Sequence, residues 1–363
     1  MNQRLAVFYD PRVLEHDTGE GLFEAAASPF LAHAEPHPEN ALRLENMASI
    51  LRTGPIAESL DWQLAPAAGR EDLLRFHSPA YVDELAAIPV EESRVMSSTT
   101  VFGPHTFELC LIAAGQAIAA AEHAFAGKGP AYALVRPPGH HAQPAMADGY
   151  CFFNNVGVAI ERLRTQGLER TAVIDWDVHH GNGTQQGFYA DAKVLTISLH
   201  MPHGAWGDTH LQSGDFDERG EGPGLGKNLN LPLPYGSGDI AYSRVFDEIV
   251  VPAVRAHAPE VLFVACGQDA NQFDPNGRQL LSMAGFYELG RRVRALADEC
   301  CGGRLVLAQE GGYQLSYAAC CLHATLEGVL GREPGLVDPI AYMPEATAGL
   351  DAFVESARGL LRG

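Results

Sequence analysis

The sequence predicts an α/β fold, built on a mainly parallel sheet with helices on both faces. Short apolar runs alternate with amphipathic helical segments, and these connections are long enough for right-handed crossovers. Five of the runs are each followed, and never preceded, by a polar, glycine-rich cluster. Because ligands bind beyond the carboxyl ends of parallel strands, we expect the five clusters to meet at one edge of the sheet.

The expected elements follow in chain order. Strands are expected at residues 5–9, 131–135, 171–174, 194–198, 261–265 and 304–308. Helices are expected over 37–51, in two short pieces on either side of Pro79, and over 107–126, 155–165, 241–256 and 284–300. In the first helix the apolar positions are Leu42, Leu44, Met47, Ile50 and Leu51. The glycine-rich stretch 204–226 is expected to be a long loop, and residues 1–363 are expected to form one domain.

Composition and charge limit the classes of function. The 363 residues carry a formal net charge of −20, which argues against sequence-independent nucleic-acid binding, because such binding needs a basic surface. The first residues lack the features of a signal peptide, and no apolar stretch reaches the roughly 18 residues that span a bilayer. We therefore expect a cytoplasmic protein with no nucleic-acid or membrane partner.

The central motif is the polar stretch 175–185, which follows a strand rich in β-branched residues. In extended backbone successive side chains alternate faces, so Asp175, Asp177 and His179 can all project to one side. Carboxylate oxygens and an imidazole nitrogen suit a zinc-type divalent ion. If Asp269, which follows another strand, joins Asp177 and His179, three ligands leave the open position of a catalytic zinc site. The alternative is a set of polar turn residues, because Asp, Asn and Gly favour turns.

Three further side chains suit proton transfer beside such an ion. His140 and His141 follow a stiff Pro-Pro-Gly segment, and Asp175 and Asn182 could orient their rings. Tyr313 follows two glycines and could donate to an oxyanion, or could simply pack over a turn. Together the groups predict metal-assisted hydrolysis of an acyl bond. The sequence has no Gly-x-Ser-x-Gly or Gly-x-x-x-x-Gly-Lys motif that would indicate another chemistry.

At these residues the chain resembles the zinc-dependent histone deacetylase family of the arginase–deacetylase superfamily. The matching motifs are 136–142, 175–185, 198–200, 267–270 and 309–313, with weaker matches at 37–40 and 73–81. Trp176 and Asn182 make the central motif similar to the class II branch and to bacterial histone deacetylase-like amidohydrolases. The resemblance implies a single domain with a central parallel sheet, commonly eight-stranded, flanked by helices.

The resemblance also implies roles for the matching residues. The zinc ligands would be Asp177, His179 and Asp269. The catalytic residues, comprising two histidines, their supporting partners and a tyrosine, would be His140, His141, Asp175, Asn182 and Tyr313. His141 would be the general base and His140 its electrostatic partner. Structural potassium ions are implied at an inner site of Asp175, Asp177, His179, Ser198 and Leu199, and at an outer site of Phe188, Asp191 and Val194.

The substrate region departs from the family pattern. The expected substrate-contacting residues are Gly149, Tyr150, Trp206, Gln268, Asn276 and Gly311. Tyr150 and Gln268 stand where Phe is usual, and Asn276 replaces a common Leu that is Glu in polyamine deacetylases of the family. We expect removal of acetyl or a related short acyl group, foremost from the ε-amine of lysine in a peptide or protein. An acylated polyamine or other small amide, an acyl-lysine-binding protein with little turnover, and a homo-oligomer are open alternatives.

Overall fold

The computed structural model describes residues 4–19, 28–33, 35–97, 99–202, 213–338, 340 and 344–361. Its strands are β1 Leu5–Phe8, β2 Leu60–Gln63, β3 Arg94–Ser97, β4 Thr100–Phe102, β5 Ala131–Ala133, β6 Thr171–Asp175, β7 Val194–His200, β8 Asn228–Pro232, β9 Val261–Cys266 and β10 Leu305–Gln309. Its α-helices are α1 Ala41–Thr53, α2 Arg70–Leu73, α3 Pro79–Ala86, α4 Thr106–Phe125, α5 Asn155–Arg164, α6 Asn182–Phe188, α7 Asp239–Val245, α8 Val251–His257, α9 Met283–Cys301, α10 Tyr317–Leu330 and α11 Leu350–Leu360. A π-helical turn, Phe246–Val250, joins α7 to α8.

Eight parallel strands form the central sheet, in the order β2-β1-β5-β10-β9-β6-β7-β8. Successive side chains of β1 enter different cores, with Leu5 and Val7 in one and Ala6 and Phe8 in the other. Helices α9 and α10 pack into the first core, and α4 and α5 into the second. A parallel sheet needs both faces covered, because the crossover helices lie on its faces. The predicted α/β class, with helices on both faces, is therefore confirmed.

The five strands followed by polar clusters are neighbours at the centre of this sheet, in the order β5-β10-β9-β6-β7. Their ends are also level with one another. Asp175 at the end of β6 pairs with Ser198 of β7 on one side and with Ala265 of β9 on the other. The polar residues that follow these strands therefore emerge at one edge of the sheet, as predicted.

The first and last residues of the predicted strands and main helices lie within two positions of the observed ones, apart from the start of the first helix. That helix begins after Asn40, whose side chain accepts a hydrogen bond from the backbone N–H of Leu42. The sequence patterns do not predict the edge strands β2 and β8, the β3–β4 hairpin, or helices α6, α10 and α11.

The apolar face predicted for α1 is wrong at one position. Leu42 is 52% exposed, whereas Arg43 is 1% exposed. The buried charge has partners in distant segments, which are described below with the site. Within the described ranges, none of the helices has both the length and the hydropathy needed to cross a lipid bilayer.

Candidate functional site

Two carboxylates and an imidazole converge at the carboxyl edge of the sheet. Asp177 and His179 lie in the loop after β6, and Asp269 lies in the loop after β9. One candidate ligand atom from each residue lies within 4.8 Å of the others, and all three residues are buried. The Nδ1 atom of His179 lies 3.1 Å from Asp177 Oδ1 and 3.2 Å from Asp269 Oδ2. The structure thus brings together the three residues that the sequence analysis proposed as metal ligands.

The charges of this cluster favour the binding of a cation. Burial lowers the pKa of His179, but its hydrogen bonds to Asp177 and Asp269 outweigh burial and raise that pKa to about 10. Burial and the nearby charge of Asp177 raise the pKa of Asp269 to about 8. Three buried carboxylates, Asp175, Asp177 and Asp269, thus lie around the imidazoles of His140 and His179. The donor set of two oxygens and one nitrogen fits a zinc-type divalent ion, which would add positive charge to this carboxylate-rich cluster.

The backbone of Gly311 closes over these carboxylates. Its N–H donates to Asp177 Oδ2 at 2.8 Å. A Cβ atom at this position would lie 2.1 Å from Asp269 Oδ2 and 2.7 Å from Asp177 Oδ2. Only glycine allows the chain after β10 to approach the cluster this closely.

The tandem histidines lie side by side, with ring centroids 4.0 Å apart. Nδ1 of His140 is 2.9 Å from Asp175 Oδ2, and Nδ1 of His141 is 2.7 Å from Asn182 Oδ1. Burial lowers the pKa of His140, but the charges of Asp177 and Asp175 raise it well above its usual value. Burial and the charge of His140 hold the pKa of His141 well below its usual value. One imidazole is thus held charged while its neighbour is held neutral.

Tyr313 lies over the same cluster. Its ring centroid is 6.5 Å from that of His179 and 5.8 Å from that of Tyr150. Its backbone N–H donates to Asp274 Oδ2 at 2.7 Å. Burial raises the pKa of the phenol well above its usual value, so the hydroxyl keeps its proton and can donate it.

A buried ion cluster that the sequence analysis missed supports the Tyr313 loop. Arg43 donates from Nε to the carbonyl of Gly312 at 2.6 Å and from Nη2 to the carbonyl of Glu310 at 2.7 Å. Its guanidinium also lies 4.6 Å from the Tyr313 ring centroid. Glu39 Oε1 accepts from Arg43 at 3.0 Å and from Arg136 at 2.7 Å. The i, i+4 spacing of Glu39 and Arg43 was the available signal for this pair.

Glu310 supports the histidine loop from the other side. Its Oε2 accepts from the backbone N–H groups of Gly139 and His140 at 2.6 and 3.0 Å. Burial raises its pKa to about 7. Glu310 belongs to the motif 309–313, but nothing in the sequence pattern indicated that it contacts the histidine loop.

The predicted substrate-contacting residues have different surroundings. Gly149, with φ +49°, lies against the His141 ring, and Tyr150 lies next to Tyr313. Asn276 Nδ2 is 3.4 Å from the Tyr150 hydroxyl. These residues lie together beside the site.

Gln268 does not join them. Its side chain is fully buried, donates to the carbonyl of Cys266 at 2.8 Å and accepts from Gln309 at 2.7 Å. These contacts occupy its amide group, and the predicted contact of Gln268 with substrate stays a prediction. Trp206 lies outside the described residues.

Several of the residues proposed for the potassium sites are in contact with one another. Asp175 and Ser198 are paired across β6 and β7, and Asp177 N–H donates to Asp175 Oδ1 at 3.0 Å. Near the outer site, the Asp191 N–H donates to the carbonyl of Phe188 at 2.9 Å. The carboxylate of Asp191 is also paired with Arg164. Potassium binding at both sites stays a prediction.

A parallel α/β sheet with a buried two-carboxylate, one-imidazole cluster beside paired histidines is the arrangement that the sequence motifs predicted. Residues 37–329 match the family described as "Histone deacetylase domain", and the chain belongs to that family. It is a hydrolase that acts on amide bonds.

Individual relatives cover nearly the whole chain. Histone deacetylase 8 of Arabidopsis thaliana is 49% identical over 99% of this chain and 96% of its own length. A histone deacetylase-like amidohydrolase of Pseudomonas aeruginosa is 38% identical over 99% of this chain and 94% of its own length. A crystal structure of the HDA15 HD domain superposes with a TM-score of 0.84 at 29% identity, covering 100% of this chain and 95% of that one. The recognition of the family from its motifs is confirmed.

Proposed function

We propose that this protein is a zinc-dependent amidohydrolase that removes acetyl or a related short acyl group from acylated amines, with N-ε-acyl-lysine as the main substrate class. The observation that carries the proposal is the convergence of Asp177, His179 and Asp269 on one point beside His141 and Tyr313. Zinc held by the three ligands would polarise the acyl carbonyl and lower the pKa of a water molecule.

The side chains around the ligands have complementary roles in this proposal. His141, held neutral, accepts a proton at Nε2, because its Nδ1 faces the Asn182 carbonyl oxygen. His140 stays positively charged through Asp175 and stabilises negative charge that develops on the substrate. Tyr313 donates its phenolic proton in a hydrogen bond to the carbonyl oxygen as that oxygen gains charge.

The acyl-lysine assignment is supported by charge and by the site's depth. A net charge of −20 favours cationic substrates, which include both basic peptides around an acyl-lysine and acylated polyamines, over nucleic acid. The ligands are buried, so a long, narrow side chain reaches them more readily than a bulky one. Tyr150 and Asn276, near the Tyr313 ring, would contact the part of the substrate that leads to the acyl group.

The proposal is tested on zinc-loaded enzyme with an acetyl-lysine peptide. We expect Asp177→Ala to lose zinc and turnover, and Tyr313→Phe to lower kcat by about 10²–10³-fold, as for removal of an oxyanion donor. Tyr287→Phe, which removes a phenol on the outer helix α9, is the matched control and should keep wild-type kcat. A folded Tyr313→Phe variant with wild-type turnover would contradict the mechanism.

The alternative substrates predicted from the sequence use the same residues. Comparing kcat/KM for acetyl-lysine peptides, acetylated polyamines and lysines with longer acyl groups separates a lysine deacylase from a polyamine or small-amide hydrolase. Binding of acyl-lysine without turnover would identify a reader. Structural potassium, a cytoplasmic location and homo-oligomerisation stay predictions.

A further inference from the structure

A buried carboxylate lies directly behind the Asn182 side chain. Asp148 is 4% exposed, and its Oδ2 accepts a hydrogen bond from Asn182 Nδ2 at 2.8 Å. The Oδ1 atom of the same amide is 2.7 Å from Nδ1 of His141. The three side chains therefore form an unbroken chain of hydrogen bonds from Asp148 through Asn182 to His141.

The chemistry of these groups fixes every proton in the chain. Asn182 Nδ2 donates to the Asp148 carboxylate, so the amide turns its NH₂ group toward Asp148. Its carbonyl oxygen, which also only accepts, then faces His141. His141 must donate from Nδ1, which leaves its Nε2 lone pair free. If the amide were reversed, His141 would carry its proton on Nε2 and could not accept one there.

The two histidines differ in how a carboxylate reaches them. His140 contacts Asp175 directly, at 2.9 Å, whereas His141 is linked to Asp148 through a neutral amide. A direct carboxylate contact stabilises the charged ring. An intervening amide orients the ring while keeping the negative charge one group further away.

Asp148 also begins the tight turn beside the site. Its N–H donates to the carbonyl of Cys151 at 3.0 Å, and the N–H of Cys151 donates back at 2.7 Å. The turn between them holds Gly149 and Tyr150, both with positive φ. A hypothetical Cβ on Gly149 would lie 2.2 Å from Cδ2 of His141, so the turn packs against the imidazole. One residue thus holds both the amide and the wall beside the ring.

We propose that Asp148 is a positioning residue that sets the orientation of the Asn182 amide and, through it, the Nδ1–H tautomer of His141. This inference rests on the proposed role of His141 as the proton acceptor. Asp148 acts through Asn182 and has no contact with substrate in this role.

The kinetic test uses zinc-loaded enzyme, an acetyl-lysine peptide and four variants: Asp148→Ala, Asp148→Asn, Asn182→Asp and the double exchange that combines the last two. Asp148→Ala should lower kcat by about 10–100-fold with little change in KM, as loss of supporting hydrogen bonds does at metal sites. Asp148→Asn keeps an acceptor oxygen and should stay within about tenfold of wild type, because a neutral acceptor bonds more weakly than a charged one. Asn182→Asp sets two carboxylates against each other and should also lose turnover.

The double exchange separates positioning from simple structural support. Combining Asp148→Asn with Asn182→Asp re-creates the donor–acceptor pair in reverse, so the exchanged enzyme should be more active than the enzyme with Asn182→Asp alone. Wild-type kcat in Asp148→Ala, or no recovery in the exchanged enzyme with a wild-type melting temperature, would overturn the inference.

A spectroscopic readout keeps the inference separate from the proposed function. In ¹⁵N-histidine NMR of zinc-loaded enzyme, the His141 resonances, identified by their loss in His141→Ala, should show the proton on Nδ1. Asp148→Ala should move part of that population to Nε2, and an unchanged tautomer would refute the positioning role. Failure of the proposed function appears differently, as wild-type enzyme without deacylase activity or as an active His141→Ala variant.

Discussion

Replacing Glu39 by Gln should destabilise the protein more than the same replacement at an exposed glutamate. Glu39 is fully buried, and its Oε1 accepts from the side chains of Arg43 and Arg136, which are each 1% exposed. Burial raises the Glu39 pKa, but the two arginines outweigh burial and hold it at about 2. Gln keeps the shape and removes the charge, so two buried cations lose their counter-ion.

Two arguments give the same magnitude. The pKa falls from 4.5 to about 2 on folding, which corresponds to about 3 kcal/mol because each tenfold change in proton affinity is worth about 1.4 kcal/mol. Removing one partner from a buried ion pair costs about 3–5 kcal/mol. We therefore expect Glu39→Gln to lower the free energy of unfolding by about 3–5 kcal/mol at pH 7.

The pH dependence has a definite sign. Because the folded pKa is lower than the unfolded one, the stabilisation by Glu39 is complete above about pH 4.5 and is lost as the pH falls toward 2. Urea unfolding at several pH values should show a constant gap between wild type and Glu39→Gln near neutrality and a narrowing gap in acid. Glu45→Gln, at an exposed site on α1, is the control and should change stability by less than about 0.5 kcal/mol. A gap below about 1 kcal/mol at pH 7 would refute the reasoning.

Three further outcomes are expected. Removing metal with a chelator should lower the melting temperature, and added zinc should restore it. At a hundredfold excess of zinc over Kd the free energy of unfolding should rise by about 2.7 kcal/mol, whereas Asp269→Asn should respond much less. Metal analysis and calorimetry check this, and equal responses of wild type and variant would argue against the site. Gly149→Ala should lower both kcat and stability, because its Cβ would lie 2.2 Å from the His141 ring at φ +49°. Gly127→Ala, at φ +71° with nothing within 4 Å of its Cβ, should lower stability alone. Steady-state kinetics and thermal melts compare the two variants, and equal kcat values would contradict the steric argument. Burial lowers the pKa of His77 to about 4, so on acidification the unfolded chain binds a proton before the folded one does. Wild type should therefore lose stability from pH 6.5 down to about 4, by up to about 3 kcal/mol more than His77→Gln. Parallel urea-unfolding profiles for the two proteins would exclude His77 as the cause of this loss of stability in acid.

The grouping of Asp177, His179 and Asp269 was predictable from simple rules of strand geometry. Alternation along a strand places Asp177 and His179 on one side, and the carboxyl-end rule brings Asp269 to them from another strand. Both rules depend on backbone geometry, which the sequence determines over a few residues. The five neighbouring strands confirm that reasoning without any knowledge of side-chain packing.

The supporting residues were harder to predict because their partners lie far away in the chain. Periodicity placed Leu42 on the buried face of α1, yet Arg43 is buried because Glu39, Arg136 and distant carbonyls satisfy its charge. Asp148 was not singled out in the sequence, because its contact with Asn182 joins positions 34 residues apart. Apart from Glu39 and Arg43, which are four residues apart, these partners are too distant in the chain for any short window to contain them.

Edge strand β8 was missed although its residues alternate between polar and apolar. Its polar residues Asn228 and Asn230 are buried, and both donate to Gln185 Oε1 at 2.8 Å. Polar and apolar residues do alternate along this strand, but the pattern predicts an exposed amide face, whereas Asn228 and Asn230 are buried. Their partner, Gln185, lies on α6, which the patterns also missed.

Because the five strands that carry the site lie side by side, the outer members β2, β1 and β8 contribute no predicted zinc ligand or catalytic residue. This separation of the candidate site from the rest of the sheet is useful for protein engineering. Fluorescent labels or affinity tags attached near Gly127 or Gly302, in turns that precede β5 and β10, would sit at the opposite end of the strands from the chemistry. Such attachments should leave deacylation intact while allowing the enzyme to be immobilised in a known orientation.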